Sequence, residues 1–396
     1  MRLLITALFF TVVGTLVACG GASTGGDMQS GTPDLGPTGP LPPDPCVASN
    51  TCQPGKWVNV SPPGLDLQAS LGCGNYGSLA VQIDPTHPEV AYAHFDCRGV
   101  WKSADYGLTW TGPINVGSNG TQVADCAGGI SVARGSSDAT TMFESCIRGN
   151  GLGFWKSTNG GVDWTQKNVA PGAGRQDFYP PTVDPYDPNH LVMCGHEMNL
   201  QVESTDGGET WTEVHIETAM AGQGGTAAIL FVDTGNAATT RKTWLYLSQA
   251  TGGTIGTWRT TDGGAGWKRV DDNEKAHSYS QLWQPDTGGV VYMAGVYSKL
   301  GWGVLRSADY GETWAHVGSA GNENVVIGTK RHIYALDSGS ANFEIGDATG
   351  MTWASADGPM SSTLGTVQAA VTSDGMYNII LAANWQGGLW RYVEPL

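Results

Sequence analysis

Short apolar runs recur along the chain from about residue 56 onward and are separated by turns rich in Gly and Asp. "LAVQID" and "VAYAHF" are two such runs, and each set ends in a short piece such as "GVWK" or "GFWK" that closes on a basic residue. Runs of this length, enriched in β-branched and aromatic residues, are typical of strands in tight antiparallel meanders. The pattern predicts an all-β protein.

An octapeptide follows these basic-ended strands. "SADYGLTW" at 103–110 returns as "SADYGETW" at 307–314, with looser copies ending at Trp164, Trp211 and Trp267 and a worn copy ending at Trp353. The copies are spaced by roughly 40 to 56 residues, which is the signature of one repeated supersecondary unit with variable loops. The octapeptide therefore marks successive units of a repeat protein.

The two ends of the chain complete one another. "KWVNV" at 56–60 resembles the strand that follows each octapeptide but has no repeat before it, whereas the final repeat, "GLWRYVEPL", lacks that strand. Pairing the first strand with the last repeat removes the exposed edges of a linear stack. We therefore predict seven four-stranded blades, one for each of seven tryptophans: Trp57, Trp110, Trp164, Trp211, Trp267, Trp314 and Trp353.

The octapeptides resemble the Asp-box, or BNR repeat, of sialidases, xyloglucanases and sortilin-type receptors, over the whole chain after residue 56. The resemblance implies a seven-bladed β-propeller. Ser and Asp side chains, as in Ser307 and Asp309, are expected to cap amides of the turn between third and fourth strands, while the Trp packs between blades. We interpret the octapeptide as structural rather than catalytic.

The N-terminus carries an export pattern. Residues 1–18 combine a charged start, an apolar stretch and "LVA" before Cys19, which resembles the lipobox of bacterial lipoproteins and implies lipidation of Cys19. Residues 19–56, rich in Gly and Pro, are predicted to form a tether, and residues 57–396 the propeller. The expected location is the cell envelope, at the outer membrane or cell surface, with the lipid as the membrane contact.

The net charge limits the class of partner, and the cysteines predict disulfides. The formal net charge is −16 with 20 Lys and Arg, which argues against nucleic acid as a partner. Export permits disulfides, and local pairing of Cys73 with Cys97 and of Cys126 with Cys146 is expected, with Cys46 and Cys52 able to close a loop. Cys194 is expected to be a buried thiol. We find no motif for a metal or another cofactor, and we expect a monomer.

Recognition is expected at the end opposite the Asp-boxes, where loops from different blades converge. The loop residues there include carboxylates, imidazoles, rings and cations suited to sugar hydroxyls and apolar sugar faces. They are Asn75, Tyr76, Asp96, Arg98, Asp125, Glu144, Arg148, Arg175, Asp177, Tyr179, His196, Glu197, Asn199, His277, Tyr279, Tyr297, Lys299, Asp337, Asn384 and Trp385.

Residues 83–105 resemble the first blade of xyloglucanases, and the alignment places the catalytic aspartate of that family on Asp96. This implies a glycoside hydrolase with Asp96 as base and Glu197 or Asp177 as acid, since glycoside cleavage normally uses two carboxyl groups. The resemblance is incomplete, because "ARTD" is "AHFD" here. The second propeller, which supplies the other carboxylate in xyloglucanases, has no counterpart.

Other functions stay open. A uronate polysaccharide lyase would use His277, Tyr279, His196 and Arg175 to abstract a proton and to neutralise a carboxylate. A sialidase is disfavoured because no Arg-Ile-Pro segment occurs. A non-catalytic surface propeller that binds glycan or protein, as sortilin-type receptors and photosystem assembly factors do, is the alternative from another class, because this scaffold hosts both.

Overall fold

The structure, a computed structural model, is built from seven antiparallel sheets arranged as the blades of a β-propeller. It describes residues 40–67, 69, 71–74, 76–134, 140–169, 176–196, 198–220, 226–249, 254, 256–272, 281–285, 288–294, 303–318, 323–337, 343–356 and 365–396. The predicted fold class and blade number are confirmed.

In the first three blades, consecutive strands of the chain are neighbours in the sheet. Blade 1 contains β2 (Ser78–Ile83), β3 (Ala91–Phe95) and β4 (Gly99–Ser103). Blade 2 contains β5 (Cys126–Ala133), β6 (Thr141–Gly149), β7 (Gly153–Ser157) and β8 (Thr165–Lys167). Blade 3 contains β9 (Thr182–Asp184), β10 (Asp187–Cys194), β11 (Gln201–Ser204) and β12 (Thr212–Glu213).

The next three blades repeat this order. Blade 4 contains β13 (Thr226–Phe231), β14 (Trp244–Gln249), β15 (Gly256–Thr260) and β16 (Lys268–Asp271). Blade 5 contains β17 (Val291–Ala294), β18 (Val304–Ser307) and β19 (Ala315–His316). Blade 6 contains β20 (Glu323–Gly328), β21 (His332–Asp337), β22 (Phe343–Asp347) and β23 (Trp353–Ala356). In blade 1 the fourth position is held by a single bridge pair, Lys102 with Thr111, and in blade 5 the first position is held by Trp283, which pairs with Tyr292 of β17.

Blade 7 closes the ring with both ends of the chain. It contains β24 (Thr366–Ser373), β25 (Asn378–Asn384), β26 (Gly388–Val393) and, as its outer strand, β1 (Trp57–Asn59). Trp57 pairs with Tyr392 in the β1–β26 ladder. The predicted closure of the last blade by the N-terminal strand is therefore confirmed.

The core lies between the blades, and the octapeptide tryptophans are part of it. Trp57 of blade 7 meets the ring of Phe343 in blade 6 edge-on at 5.7 Å, and Trp211 of blade 3 meets Phe154 of blade 2 at 5.3 Å. Trp110 packs with Leu381, across the junction between blades 1 and 7. The tryptophan of one blade thus contacts the preceding blade.

The Asp-box turns are fixed by their own side chains. Gly311 donates its backbone N–H to Ser307 Oγ at 2.8 Å, Thr313 donates its N–H to Asp309 Oδ1 at 2.9 Å, and the Thr313 hydroxyl donates to Asp309 Oδ2 at 2.6 Å. Burial alone would raise the pKa of Asp309, but the hydrogen bonds from Thr313 and Ser307 lower it to about 2. Each carboxylate acts as a turn clasp, as the sequence predicts.

The short segment before β1 packs against the propeller. It contains helix α1 (Pro45–Ala48), whose N-cap Asp44 accepts the N–H of Cys46 at 3.0 Å, and a disulfide between Cys46 and Cys52. The guanidinium of Arg391 in β26 donates to Asp44 and, through Nε, to the carbonyl of Tyr106 at 2.9 Å. Residues 40–56, which the sequence assigns to the tether, therefore lie on the propeller surface.

Two further short helices, α2 (Gly120–Ala124) and α3 (Ala237–Thr240), lie in loops of blades 1–2 and 4. Within the part of the chain that the structure describes, no helix combines the length and the apolar character needed to cross a lipid bilayer.

Trp57→Ala is expected to reduce the free energy of unfolding by about 3 to 5 kcal/mol, because it empties a closely packed site between the closing strand and blade 6. Denaturant unfolding of the purified protein measures this. Val58→Ala, in the same strand but at a side chain that is 50% exposed, is the matched control and should change little. Equal losses for the two variants would contradict the closing role of Trp57.

Candidate functional site

Loops of blades 7, 1 and 3 that the sequence predicts for recognition lie at the propeller end away from the Asp-boxes. Gly77, just before β2, forms a bridge pair with Trp385 in the β25–β26 turn, and Phe178, before β9, pairs with Gly195 after β10. In these two places the loop into a first strand therefore lies beside a turn between second and third strands. We call this end the rim.

Several predicted site residues lie outside the described residues. These are Asn75, Arg175, Glu197, His277, Tyr279, Tyr297 and Lys299. Their assignment to substrate binding or catalysis stays a prediction, as does the lipidation of Cys19.

Asp96 is placed on the rim of blade 1 but is sealed from solvent. Its exposed fraction is 0%, its Oδ2 accepts the backbone N–H of Tyr76 at 2.8 Å, and its own N–H donates to the carbonyl of Gly77 at 2.9 Å. Burial raises the pKa of Asp96 to about 8, against the lowering effects of the Tyr76 and Gly128 hydrogen bonds and of Arg98. At neutral pH this carboxyl is mostly protonated.

His94 and Glu144 join Asp96 in one buried cluster. The Nδ1 of His94 lies 3.1 Å from the carbonyl of Gly128, which can only accept, so Nδ1 carries the proton and Nε2 is free of it. That Nε2 lies 3.6 Å from Glu144 Oε1, and Nδ1 lies 3.9 Å from Asp96 Oδ1. All three side chains have an exposed fraction of 0%.

Burial keeps this cluster uncharged. It lowers the pKa of His94 to about 4 despite the hydrogen bond with Gly128, and burial together with the nearby Asp96 raises the pKa of Glu144 well above its ordinary value. Within the described residues, His94 Nε2, Asp96 Oδ1 and Glu144 Oε2 are buried without a hydrogen-bond partner. The cluster is a neutral polar contact between blades 1 and 2.

Sequence analysis assigned no role to His94 and expected Glu144 in a rim loop, but Glu144 lies within strand β6. One signal was available for His94. It precedes Asp96 by two positions at the end of β3, and side chains two apart along a strand share a face. Nothing in the sequence indicated that Glu144 would reach the same contact from the next blade.

Two disulfides brace the loops around this cluster. Cys73–Cys97 ties the loop into blade 1 to the turn after β3, and Cys126–Cys146 joins β5 to β6. Both pairings are confirmed. Cys194 is a buried free thiol, as expected, and burial raises its pKa far above the ordinary value.

A second buried pair lies on the rim of blade 3. His196 Nδ1 lies 2.9 Å from Asp177 Oδ2, and the His196 N–H donates to the Asp177 carbonyl at 2.8 Å. The ring of Tyr179 meets the imidazole edge-on at 5.0 Å. Asp177 is 0% exposed and His196 is 6% exposed, so the carboxylate mainly holds the imidazole in place.

Arg98 and Asn384 are engaged by the protein itself. Arg98 donates to the carbonyls of Asp96 at 2.7 Å, of Ala69 at 3.3 Å and of Asp66, which fixes the turn after β3. Asn384 is fully buried and its Oδ1 accepts the hydroxyl proton of Thr366 at 3.2 Å. Both side chains stabilise rim loops.

An accessible aromatic pair remains at the junction of blades 7, 1 and 2. The rings of Tyr76 and Trp385 lie 5.9 Å apart with an interplanar angle of 32°, both are partly exposed, and both pack on Leu79 and Val367. The guanidinium of Arg148, at the end of β6, lies 5.7 Å from the centre of the Tyr76 ring. We call Tyr76, Trp385 and Arg148 the rim platform.

A cavity of about 280 Å3 lies along the propeller axis between the innermost strands. Its lining includes Tyr179, Thr182 and the amides of Gln82, Gln281 and Gln368. Gln368 accepts the N–H of Val81 at 2.9 Å, and the Gln281 amide bonds both backbone groups of Ala369, so two of the three amides join backbone segments of different blades.

Comparison with known proteins supports the fold but assigns no function. No protein-family model and no curated protein matches the chain. Among solved structures, YCF48 from Cyanidioschyzon merolae is similar with a TM-score of 0.55 and 15% identity, over 85% of this chain and 98% of that one. This likeness shows the propeller fold.

Two xyloglucanase-type structures are similar as well. The GH74 xyloglucanase from Xanthomonas campestris gives a TM-score of 0.58 at 16% identity over 85% of this chain and 53% of its own. An ancestral GH74 enzyme gives 0.56 at 14% identity over 80% of this chain and 47% of its own. The chain thus spans about half the length of these two proteins.

Asp96→Asn is expected to make the stability of the protein less dependent on pH between 6.5 and 8. The raised pKa of Asp96 means that its contribution is complete below pH 4 and is lost as pH rises toward 8, by up to about 1.4 kcal/mol per pH unit. The lowered pKa of His94 acts in the opposite direction but below pH 6.5. Denaturant unfolding at several pH values measures the slope.

The matched control is Asp309→Asn, which removes a carboxylate whose pKa of about 2 keeps it ionised throughout this window. It should leave the slope between pH 6.5 and 8 unchanged while lowering stability at every pH, because it breaks the turn clasp. An unchanged slope in Asp96→Asn would contradict the neutral cluster.

Proposed function

We propose that this protein is a carbohydrate-binding propeller of the cell envelope that holds its ligand at the rim without cleaving it. The observation that supports this proposal is the burial of the candidate catalytic carboxyls that the structure describes. Asp96 and Asp177 each have an exposed fraction of 0% and are held by Tyr76 and His196. A general acid or base has to come within hydrogen-bond reach of the atom it serves.

The rim platform supplies what a sugar ligand needs. The partly exposed faces of Tyr76 and Trp385 can cover the apolar face of a pyranose, and neighbouring backbone and polar groups can meet its hydroxyls. The platform is also stiff. The Tyr76 N–H donates to Asp96, its carbonyl accepts from Gln386 at 3.0 Å, and the disulfide Cys73–Cys97 lies beside it.

Glycoside hydrolysis through Asp96, as the xyloglucanase resemblance implies, is the competing function. The raised pKa of Asp96 would suit an acid more than the predicted base at neutral pH. Hydrolysis would also require the turn after β3 to open, because the carboxyl is sealed beneath Tyr76 and the Arg98 contacts. The closed geometry therefore favours binding.

Trp385→Ala is expected to weaken polysaccharide binding about tenfold, or about 1.4 kcal/mol, by removing half of the aromatic surface. The measurement is a calorimetric screen of plant, algal and bacterial polysaccharides, with an assay for new reducing ends and for unsaturated uronate absorbance on each ligand. Tyr377→Ala, at a partly buried tyrosine in the β24–β25 turn of the opposite end, is the control and should bind as wild type does.

Absence of saturable binding across the screen would overturn the proposed function. Appearance of reducing ends that is lost in Asp96→Asn would establish hydrolysis instead, and unsaturated uronate products would establish a lyase.

The proposal includes anchoring through lipid on Cys19. Cys19→Ser is expected to move the protein expressed in a bacterial host from the membrane fraction to the soluble fraction and to abolish labelling by fatty acid. Ser23→Ala, just after the lipobox, is the control and should stay membrane-bound and labelled. Continued membrane association of Cys19→Ser would contradict the anchor.

A further inference from the structure

We propose that the rim platform selects acidic sugars, with the guanidinium of Arg148 binding the carboxylate of a uronic acid whose ring lies on Tyr76 and Trp385. This inference rests on the proposed function and names its ligand class. It gives Arg148 the part of a specificity residue, which neither the sequence nor the fold comparison assigns to it.

The first argument is the position of Arg148. It pairs with Ala127 at the rim end of the β5–β6 ladder, its side chain is exposed, and its guanidinium lies 5.7 Å from the Tyr76 ring centre. A guanidinium over an aromatic face is held by attraction to the ring, and it keeps N–H donors that can bind a carboxylate. The cation is thus positioned before any ligand arrives.

The second argument is that the charge of Arg148 is not compensated. Within the described residues, no carboxylate lies within 4.0 Å of its guanidinium. Asp125, at the same edge of blade 2, instead accepts a hydrogen bond from Asn150. Two other arginines are neutralised by carboxylates: Arg241 pairs with Asp187 at 2.8 Å and Arg391 pairs with Asp44.

The third argument is the overall charge. With a formal net charge of −16, the protein repels anions at long range, so an anionic ligand needs a local, fixed cation to bind. A neutral sugar does not need such a cation for binding. A planar guanidinium matches a carboxylate with two parallel hydrogen bonds, which gives both energy and orientation.

Geometry sets the expected binding mode. The carboxylate of a uronic acid is attached to C5 and projects from the edge of the pyranose ring. A ring that lies on Tyr76 and Trp385 can therefore place its apolar face on the aromatic pair and its carboxylate beside Arg148 at the same time. The platform would recognise one acidic residue of a longer chain.

Calorimetry with two matched probes tests this on the full chain. The probes are an oligogalacturonate and the same oligomer after its carboxyl groups have been reduced to primary alcohols. Wild type is expected to bind the acidic oligomer at least tenfold more tightly. Arg148→Gln should bring the two affinities together by weakening the acidic oligomer alone, and Arg148→Lys should keep part of the preference because it retains the charge without the fork.

Arg241→Gln is the matched control, because it removes the same charge near α3, at the opposite end of the propeller. It should leave the preference intact. Circular dichroism and thermal unfolding of each variant confirm that the fold is kept, and Arg148 is exposed, so its replacement should not lower stability.

The outcomes separate the inference from the proposed function. Equal binding of acidic and reduced oligomers by wild type, a preference that survives in Arg148→Gln, or tighter binding of a sulfated oligomer than of the uronate would overturn the inference while leaving carbohydrate binding in place. The inference would also be overturned if neither oligomer bound while a neutral polysaccharide in the wider screen did. Failure of every polysaccharide would overturn both.

Discussion

Pairing of β1 with β26 is the contact on which the rest of the structure depends. Each blade buries both faces against its neighbours, so an unclosed stack of seven sheets would leave two apolar faces exposed to water. Closure covers them, and Trp57 adds an aromatic contact with Phe343 of the preceding blade. The rim exists because the ring is closed: Trp385 from the last blade reaches Tyr76 from the first only across this junction.

The sequence was sufficient for the architecture because each unit carries its own local instructions. Ser307, Asp309 and Thr313 bond within a single turn, so the octapeptide predicts the same turn wherever it occurs. The match between a spare first strand and a missing last one then gives the number of blades. Both features can be recognised from short stretches of sequence without knowledge of the contacts between blades.

The candidate site was harder to predict because burial decides the chemistry of its residues, and burial depends on contacts between blades. Asp96 was expected to be an available base, yet it is sealed beneath the Tyr76 amide and its pKa is raised to about 8. Glu144, which meets His94 in the same cluster, comes from the next blade, and no sequence spacing connects it with blade 1. Loop residues such as Tyr76 and Arg148 were expected at the rim, but their stacking follows from side-chain directions that a sequence does not specify.

The segment before β1 packs on one end of the propeller. Asp44 bonds Arg391, and the hydroxyl of Tyr106, within an Asp-box, donates to the carbonyl of Pro42 at 2.5 Å. The segment of residues 40–56 therefore lies at the Asp-box end, where it contacts blades 7 and 1. Residues 40–56 and the rim thus occupy opposite ends of the propeller, so this segment does not obstruct the approach of a large polymer to Tyr76 and Trp385.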